Sequence, residues 1–521
     1  MLDSEPHHKI LQAMGLIEQL AKNEQETPTK LREALVGLDD GMATFTAVFK
    51  NYQSFIASQR EKLVQALQAV VYPIHKLPPE ILIAIFEEYM LDAAASNFIP
   101  KISSALILAS VCQRWRDVTL DVPKLWSRIA LPQRPSKSHP QFAQLVQTCM
   151  QRSRGAPLTL SIAGCKNTIL IDILATKAAC WRDLRVDQAV ASGRVLAHIP
   201  ELPNLETIRM QLHLVNELKT IALGALPRLR EAIIEWGCLS QVKLPWSQLA
   251  ELTLLCHDAD DVLPILRQTV NLESLKLKVN DPSDLDTLEI SLPHLHTLSL
   301  DAYYIGDEDD PVEHSLLSLL KVPALKSLTI RDGAMDTYQH FHTFVHGNQF
   351  VLESLDLVYP KHEDDLIACA GAAKSTSCIS ELELTLPQSE YLTRKCLAQL
   401  TRPASKADDT PLFPRLQVLR LNTDTTNDVP YTHLRAFINA RHRYSERAPG
   451  QAALEELTFR ALHPYQTRES VRAFNDAFNT YTTVDEKLLI RLDVLEPKKF
   501  ESRDLSSTVD TVSYTLDVNR E

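Results

Sequence analysis

Two hydrophobic periods divide the chain. From residue 31 to residue 70, Leu31, Leu35, Leu38, Met42, Phe45, Phe49, Tyr52, Ile56, Gln59, Leu63, Ala66 and Val70 follow one another at alternating steps of four and three. A 3.5-residue period held over five heptads predicts a long helix with the apolar seam of a coiled coil. Thr27 and Pro28 supply its start signal, an N-cap residue followed by proline in the first turn. Residues 8–22, with Ile10, Met14, Ile17 and Ala21, carry a shorter helical pattern of their own. The seam is therefore open to two answers, a second chain or a hairpin closed by this segment.

Downstream the pattern switches to repeats of the template LxxLxL. Copies begin at Leu205, Leu249, Leu272, Leu295, Leu325, Leu352, Ile379, Leu416 and Leu454, with a degenerate copy at Leu229, Ala232 and Ile234. The first seven intervals run from 20 to 30 residues and the last two are 37 and 38, which predicts insertions there. Alternation within LxL predicts a short strand with one face buried, and the recurrence predicts strands stacked as an irregular leucine-rich-repeat solenoid. Acidic runs at Asp258–Asp261, Asp307–Asp310 and Glu363–Asp365 precede apolar stretches and read as helix starts, where carboxylates meet free backbone amides. Polar residues after Pro497 read as a tail closed by one strand around Val512–Val518.

Composition narrows the function. Leucine takes 25 of the 100 residues from 201 to 300, whereas the whole chain holds only 13 glycines, against any glycine-rich phosphate loop. A net charge of −12 argues against binding nucleic-acid backbones. No apolar run reaches the roughly 20 residues that span a bilayer, so no membrane partner is expected. Nine scattered cysteines without a CxxC pair predict thiols in a reducing compartment, and hence an intracellular protein of the cytoplasm, the nucleus or both. His340, His342 and His346 are the nearest approach to a metal set, but no carboxylate or cysteine completes it at ligand spacing. Cys112 beside Arg114 is flanked by Val111 and Trp115, as a packed thiol would be. No catalytic constellation, metal or cofactor is expected, and the chain reads as a non-enzyme.

The most specific segment lies between the helical start and the repeats. It opens with Leu77, Pro78, Pro79, Glu80, Ile81 and Leu82, continues through Ile85 and Phe86, carries VCQRWRD from Val111 to Asp117, and closes with Pro123, Leu125 and Trp126. LPPEIL…IF, VCQRWRD and PxLW in this order resemble the three motifs of the F-box. Residues 149–162 also resemble the stretch immediately after the F-box in a large group of fungal F-box proteins. Their layout is a helical N-terminus, an F-box and irregular leucine-rich repeats. The fold expected is therefore α + α/β, with a helical segment at 1–72, an F-box at 73–131, a repeat solenoid at 132–496 and a tail at 497–521. The stretch Leu91–Lys101 lengthens the join between the first two F-box helices relative to the family pattern.

The resemblance implies a substrate-recognition subunit of a ubiquitin ligase built from a Skp-type adaptor and a cullin. The alternative is an interaction scaffold outside ubiquitination. Pro78 and Pro79 suit a helix start, and Leu77, Ile81, Leu82, Ile85 and Phe86 form an apolar set broad enough to serve as the adaptor-binding surface. Trp115 and Trp126 are expected to pack the F-box itself. An unknown protein substrate is expected on the concave strand face, where residues flanking the LxL leucines point, among them Arg209, Lys276, Lys278, Asp301, Arg331 and Arg420. With Glu235, Asp356, Glu383 and Arg460 the set is six basic to four acidic, which predicts a relatively positive face suited to an acidic or phosphorylated segment.

Overall fold

A computed structural model describes residues 11–12, 14–15, 18–19, 28–69, 73–95, 104–131, 139–163, 168–187, 201–212, 221–281, 288–304, 316–332, 341, 344–345, 347–358, 378–386, 390–401, 412–423, 431–447, 454–461, 489–496 and 510–516. The chain divides into two compact units, Met1–Leu82 and Ile83–Glu521.

In the first unit the 3.5-residue period becomes a single 42-residue helix, Pro28–Ala69, which starts at the proline that the sequence marks. At 1.5 Å per residue it is about 63 Å long. Ala34 and Gly41 are buried, whereas Leu35, Met42, Phe45, Phe49, Tyr52, Ile56 and Leu63 lie open along it. Leu11 and Met14 of the preceding segment are also exposed. A 3-10 turn, Pro73–Lys76, leads to the helix Pro79–Ala95. The Pro78 carbonyl accepts the amides of Ile81 and Leu82, both at 3.2 Å, and so serves as its N-cap.

The second unit continues with the helices Ser104–Val111 and Gln113–Asp121 and a 3-10 turn, Pro123–Trp126. Strands follow: β1 (Arg128–Leu131), β2 (Leu158–Ala163), β3 (Trp181–Asp187), β4 (Thr207–Gln211), β5 (Ile221–Ala222), β6 (Glu231–Glu235), β7 (Val242–Lys243), β8 (Glu251–Asp258) and β9 (Ser274–Asp281). After them come β10 (Ile290–Ser291), β11 (Thr297–Tyr304), β12 (Leu320–Lys321), β13 (Ser327–Asp332), β14 (Ser354–Val358), β15 (Glu381–Leu386), β16 (Val418–Thr423), β17 (Glu456–Ala461), β18 (Leu489–Glu496) and β19 (Asp510–Leu516). Two two-stranded sheets, β5 with β7 and β10 with β12, stand apart, and the other fifteen strands join one large sheet in chain order. Its neighbours are parallel up to β18, and β19 closes it antiparallel, near the strand expected in the tail.

Register explains why the template recurs. Leu184, Ile208, Ala232, Leu252, Leu275, Leu298, Leu328, Leu355, Leu382, Leu419 and Leu457 form one continuous row across β3–β17. None of these side chains is more than 2% exposed. Each large aliphatic one contributes roughly 1.5–3 kcal/mol of burial, and a one-residue slip would turn the whole row to the wrong face. The leading leucine of each copy turns the chain inward before its strand. Leu205, Leu229, Leu295 and Leu325 each donate their amide three residues back, to Leu202, Leu226, Leu292 and Val322.

Two details differ from the sequence reading. The sheet begins at Arg128, inside the segment that closes the F-box motif, because four residues of RIAL pair with β2 without any LxxLxL signal. Among the acidic starts, Asp260 and Asp261 do occupy the first turn of a helix, Ala259–Leu266. The runs at 307–310 and 363–365, like His340, His342 and His346, lie outside the described residues.

Candidate functional site

The helix Pro79–Ala95 sorts its apolar residues onto two faces. Leu82 and Phe86, one turn apart, are fully buried. Ile81 and Ile85 are 48% and 41% exposed, and Tyr89, one further turn on, is 40% exposed. At about 100° per residue, Ile81 and Ile85 lie within about 40° of one another, Leu82 and Phe86 lie about 100° further round, and Tyr89 falls at the border between the two pairs. Of the apolar set expected to form the adaptor-binding surface, Leu82 and Phe86 are therefore buried within the chain, while Ile81 and Ile85 are open. Leu77 is half-buried, and Pro78 and Pro79 are exposed.

Packing in the second unit shows what the buried face is for. Phe86 meets Trp115 at 4.8 Å between ring centroids, tilted by 58°. Trp126 is 1% exposed, donates its indole N–H to the Thr119 carbonyl at 2.7 Å and lies under the Arg152 guanidinium at 4.4 Å. Lys124 pairs with Glu87 at 2.8 Å and Arg128 donates to the Met90 carbonyl at 3.2 Å, which ties the closing turn to the first helix. Cys112 is the N-cap of Gln113–Asp121, its Sγ accepting the Trp115 amide at 3.5 Å. None of the seven cysteines among the described residues forms a disulfide.

Sequence reasoning missed three members of the open apolar set. Tyr89 extends the four-residue step from Ile85, a signal present in the sequence. Ile107 and Val111, 50% and 56% exposed, lie on Ser104–Val111, whose mostly apolar sequence gives little hint of which side chains face out.

The second candidate surface is the face of the large sheet opposite the leucine row. Arg209, Lys276 and Arg420 stand in one register row, and Lys278, Asp301 and Arg331 in the next. The sequence therefore places these residues on one face correctly, but the charge of that face differs from the expectation. Between Asp183 and Arg420 the three outward rows hold six cations (Arg185, Arg209, Lys276, Lys278, Arg331, Arg420) and a larger number of carboxylates, among them Asp183, Glu231, Glu235, Glu251, Asp301, Asp356, Glu381 and Glu383. The row through Asp183, Glu231, Glu251 and Glu381, two residues before the one counted from the template, supplies the difference. Three of the cations are also engaged by neighbouring strands. Arg209 grips Glu235 through two nitrogens at 2.8 and 3.0 Å, Arg420 meets Glu381 at 3.1 Å, and Lys278 stands 3.8 Å from Asp301.

Access varies along this face. Lys276 and Arg331 are exposed, while Val358, Thr385, Asn422 and Thr458 toward the other end are buried. There Asn422 donates to Glu383 at 2.7 Å and to Thr385 at 2.9 Å. Burial, reinforced by the Glu383 carboxylate on the adjacent strand, pushes the Asp356 carboxyl up to about 6, with Arg331 and the Thr329 hydroxyl acting in the opposite sense. A carboxyl raised on folding stabilises the fold most at low pH and loses that contribution as pH rises from about 4 to about 6. Asp356→Asn is therefore expected to raise the melting temperature at pH 7.5 and to leave it unchanged at pH 4. Thermal unfolding at the two pH values checks this, and an equal shift at both would contradict the assignment.

Among the described residues no group of histidine, cysteine, aspartate and glutamate is placed to hold a metal, and no helix is long and apolar enough to cross a membrane. Two surfaces stand out, an open apolar set on a small helical box and a charged face on a large parallel sheet. Residues 74–132 match the F-box-like family, so the helical box is an F-box-like domain. Comparison with curated proteins gives no match.

Proposed function

We propose that this chain is the substrate-recognition subunit of an SCF-type ubiquitin ligase. Its F-box binds a Skp-type adaptor and through it a cullin, while a leucine-rich-repeat solenoid holds a protein substrate. The observation that carries the reading is the open apolar side chains of Ile81, Ile85 and Tyr89 on a helix inside an F-box-like segment. Open side chains of this size on a domain with a filled core mark a partner site. The chain itself performs no chemistry, since other subunits supply ubiquitin transfer. Its place of action is intracellular.

For the substrate, the accessible stretch of the sheet face around Lys276, Lys278 and Arg331 is the proposed contact. Cations and carboxylates alternate there, so a mixed-charge protein segment is a better complement than a uniformly acidic one. The test is affinity capture with Lys276→Glu, Lys278→Glu and Arg331→Glu combined. The expected result is loss of proteins whose ubiquitination depends on the chain, with the adaptor still captured. Retention of those proteins would move the contact elsewhere. Partners that are captured but never ubiquitinated would favour the scaffold reading, which the open seam of Pro28–Ala69 also suits.

A further inference from the structure

We propose that the helix Pro28–Ala69 pairs with the same helix of a second copy of this chain, antiparallel, about a twofold axis that passes between Lys50 and Asn51. The seam is open: Leu35, Met42, Phe45, Phe49, Ile56 and Leu63 are between 47% and 65% exposed. At roughly 100 Å² for each half-exposed aliphatic or aromatic side chain, these residues and Tyr52 offer about 700 Å² per copy, close to the ~800 Å² per partner of a stable interface.

Charge and size select the partner, its direction and its register. The seam residues are the a and d positions of a heptad, which places Asp39 and Arg60 at e, on an edge where both are exposed. In an antiparallel pair, e faces e and a faces d. With the axis between Lys50 and Asn51, Asp39 lies beside the partner's Arg60, and the symmetry makes this contact twice. Phe49 then faces the partner's Tyr52, Leu35 faces Ala66, and Met42 faces the one polar seam residue, Gln59, so large side chains meet smaller or longer, adaptable ones. On the other edge Val48 meets the partner's Phe55, extending the apolar contact.

The competing arrangements lack this fit. A shift of one heptad in one direction sets Arg32 against the partner's Arg60, and a shift in the other leaves Asp39 and Arg60 without opposite charges. A parallel pair stacks Phe45, Phe49 and Tyr52 on their own copies, three bulky aromatic layers in succession, and sets Arg60 beside the partner's Phe55. Within the helix, Phe45 and Phe49 are stacked with their rings nearly parallel, at 6.4 Å between centroids and 11° between planes.

Light scattering on the full-length protein at micromolar concentration is expected to give twice the chain mass of 58.7 kDa. Arg60→Asp should weaken dimerisation at least tenfold by placing like charges together at both ends, and adding Asp39→Arg should restore it. Oxidation of the double variant Asp39→Cys, Arg60→Cys should give a covalent dimer on a non-reducing gel, while neither single variant does. A monomeric protein would overturn the proposal and assign the seam to residues 8–22 of the same chain. Failure of the charge swap to rescue, or cross-linking of a single-cysteine variant through its own copy, would equally overturn the antiparallel register.

Discussion

Ile85→Asp is expected to reduce affinity for a Skp-type adaptor by roughly 30- to 1,000-fold, the equivalent of about 2–4 kcal/mol for a central apolar contact replaced by an unpaired charge. Ile85 is 41% exposed in the free chain, so aspartate there is solvated until the adaptor covers it. Folding is therefore spared and binding carries the whole cost. Circular dichroism and melting temperature should stay at wild-type values while calorimetric titration with the adaptor loses its signal. Leu82→Asp separates the two faces of the helix. Leu82 is fully buried, and a charge there strikes the fold first, so its loss of binding should come with a lowered melting temperature. A Leu82→Asp variant with an unchanged melting temperature would contradict the sorting of faces.

Trp126→Ala is expected to cost about 3–5 kcal/mol of stability, the range for removing a buried large aromatic side chain. Three contacts disappear together: the cavity-filling ring, the 2.7 Å bond to the Thr119 carbonyl and the stack under Arg152. The Thr119 carbonyl loses its indole donor, which adds the cost of an under-satisfied buried group. Trp126→Phe keeps most of the volume and loses the bond, so it should fall between alanine and wild type. Denaturant unfolding followed by circular dichroism orders the three, and a phenylalanine variant as unstable as alanine would assign the effect to the hydrogen bond rather than to packing.

Much of the fold is legible in the sequence because one period repeats. Each LxxLxL copy carries weak information, but ten copies in rough phase specify strands, register and the buried face together, and the row from Ile208 to Leu457 follows from them. The long helix is legible for the same reason, with Pro28 marking its start. Legibility fails where a decision depends on neighbours distant in the chain. Leu82 and Ile85 are equally apolar, and only Trp115 and the rest of the helical box decide which of the two faces turns inward. The charge of the sheet face is hard to read because the template draws attention to residues between its leucines, whereas Asp183, Glu231, Glu251 and Glu381 sit just before the LxL pair. Strand β1 carries no template at all, and the pairing of RIAL with β2 is a tertiary outcome.

The proposed function rests on the outward face of the first F-box helix as the seat of a Skp-type adaptor. Its most direct test is titration of the adaptor into the full-length chain, beside a chain lacking residues 74–132 and the Ile85→Asp variant. Saturable one-to-one binding by the intact chain, absent from the deletion and strongly weakened in Ile85→Asp, is the result predicted. Adaptor binding that survives either change, or an intact chain that does not bind the adaptor, would contradict it.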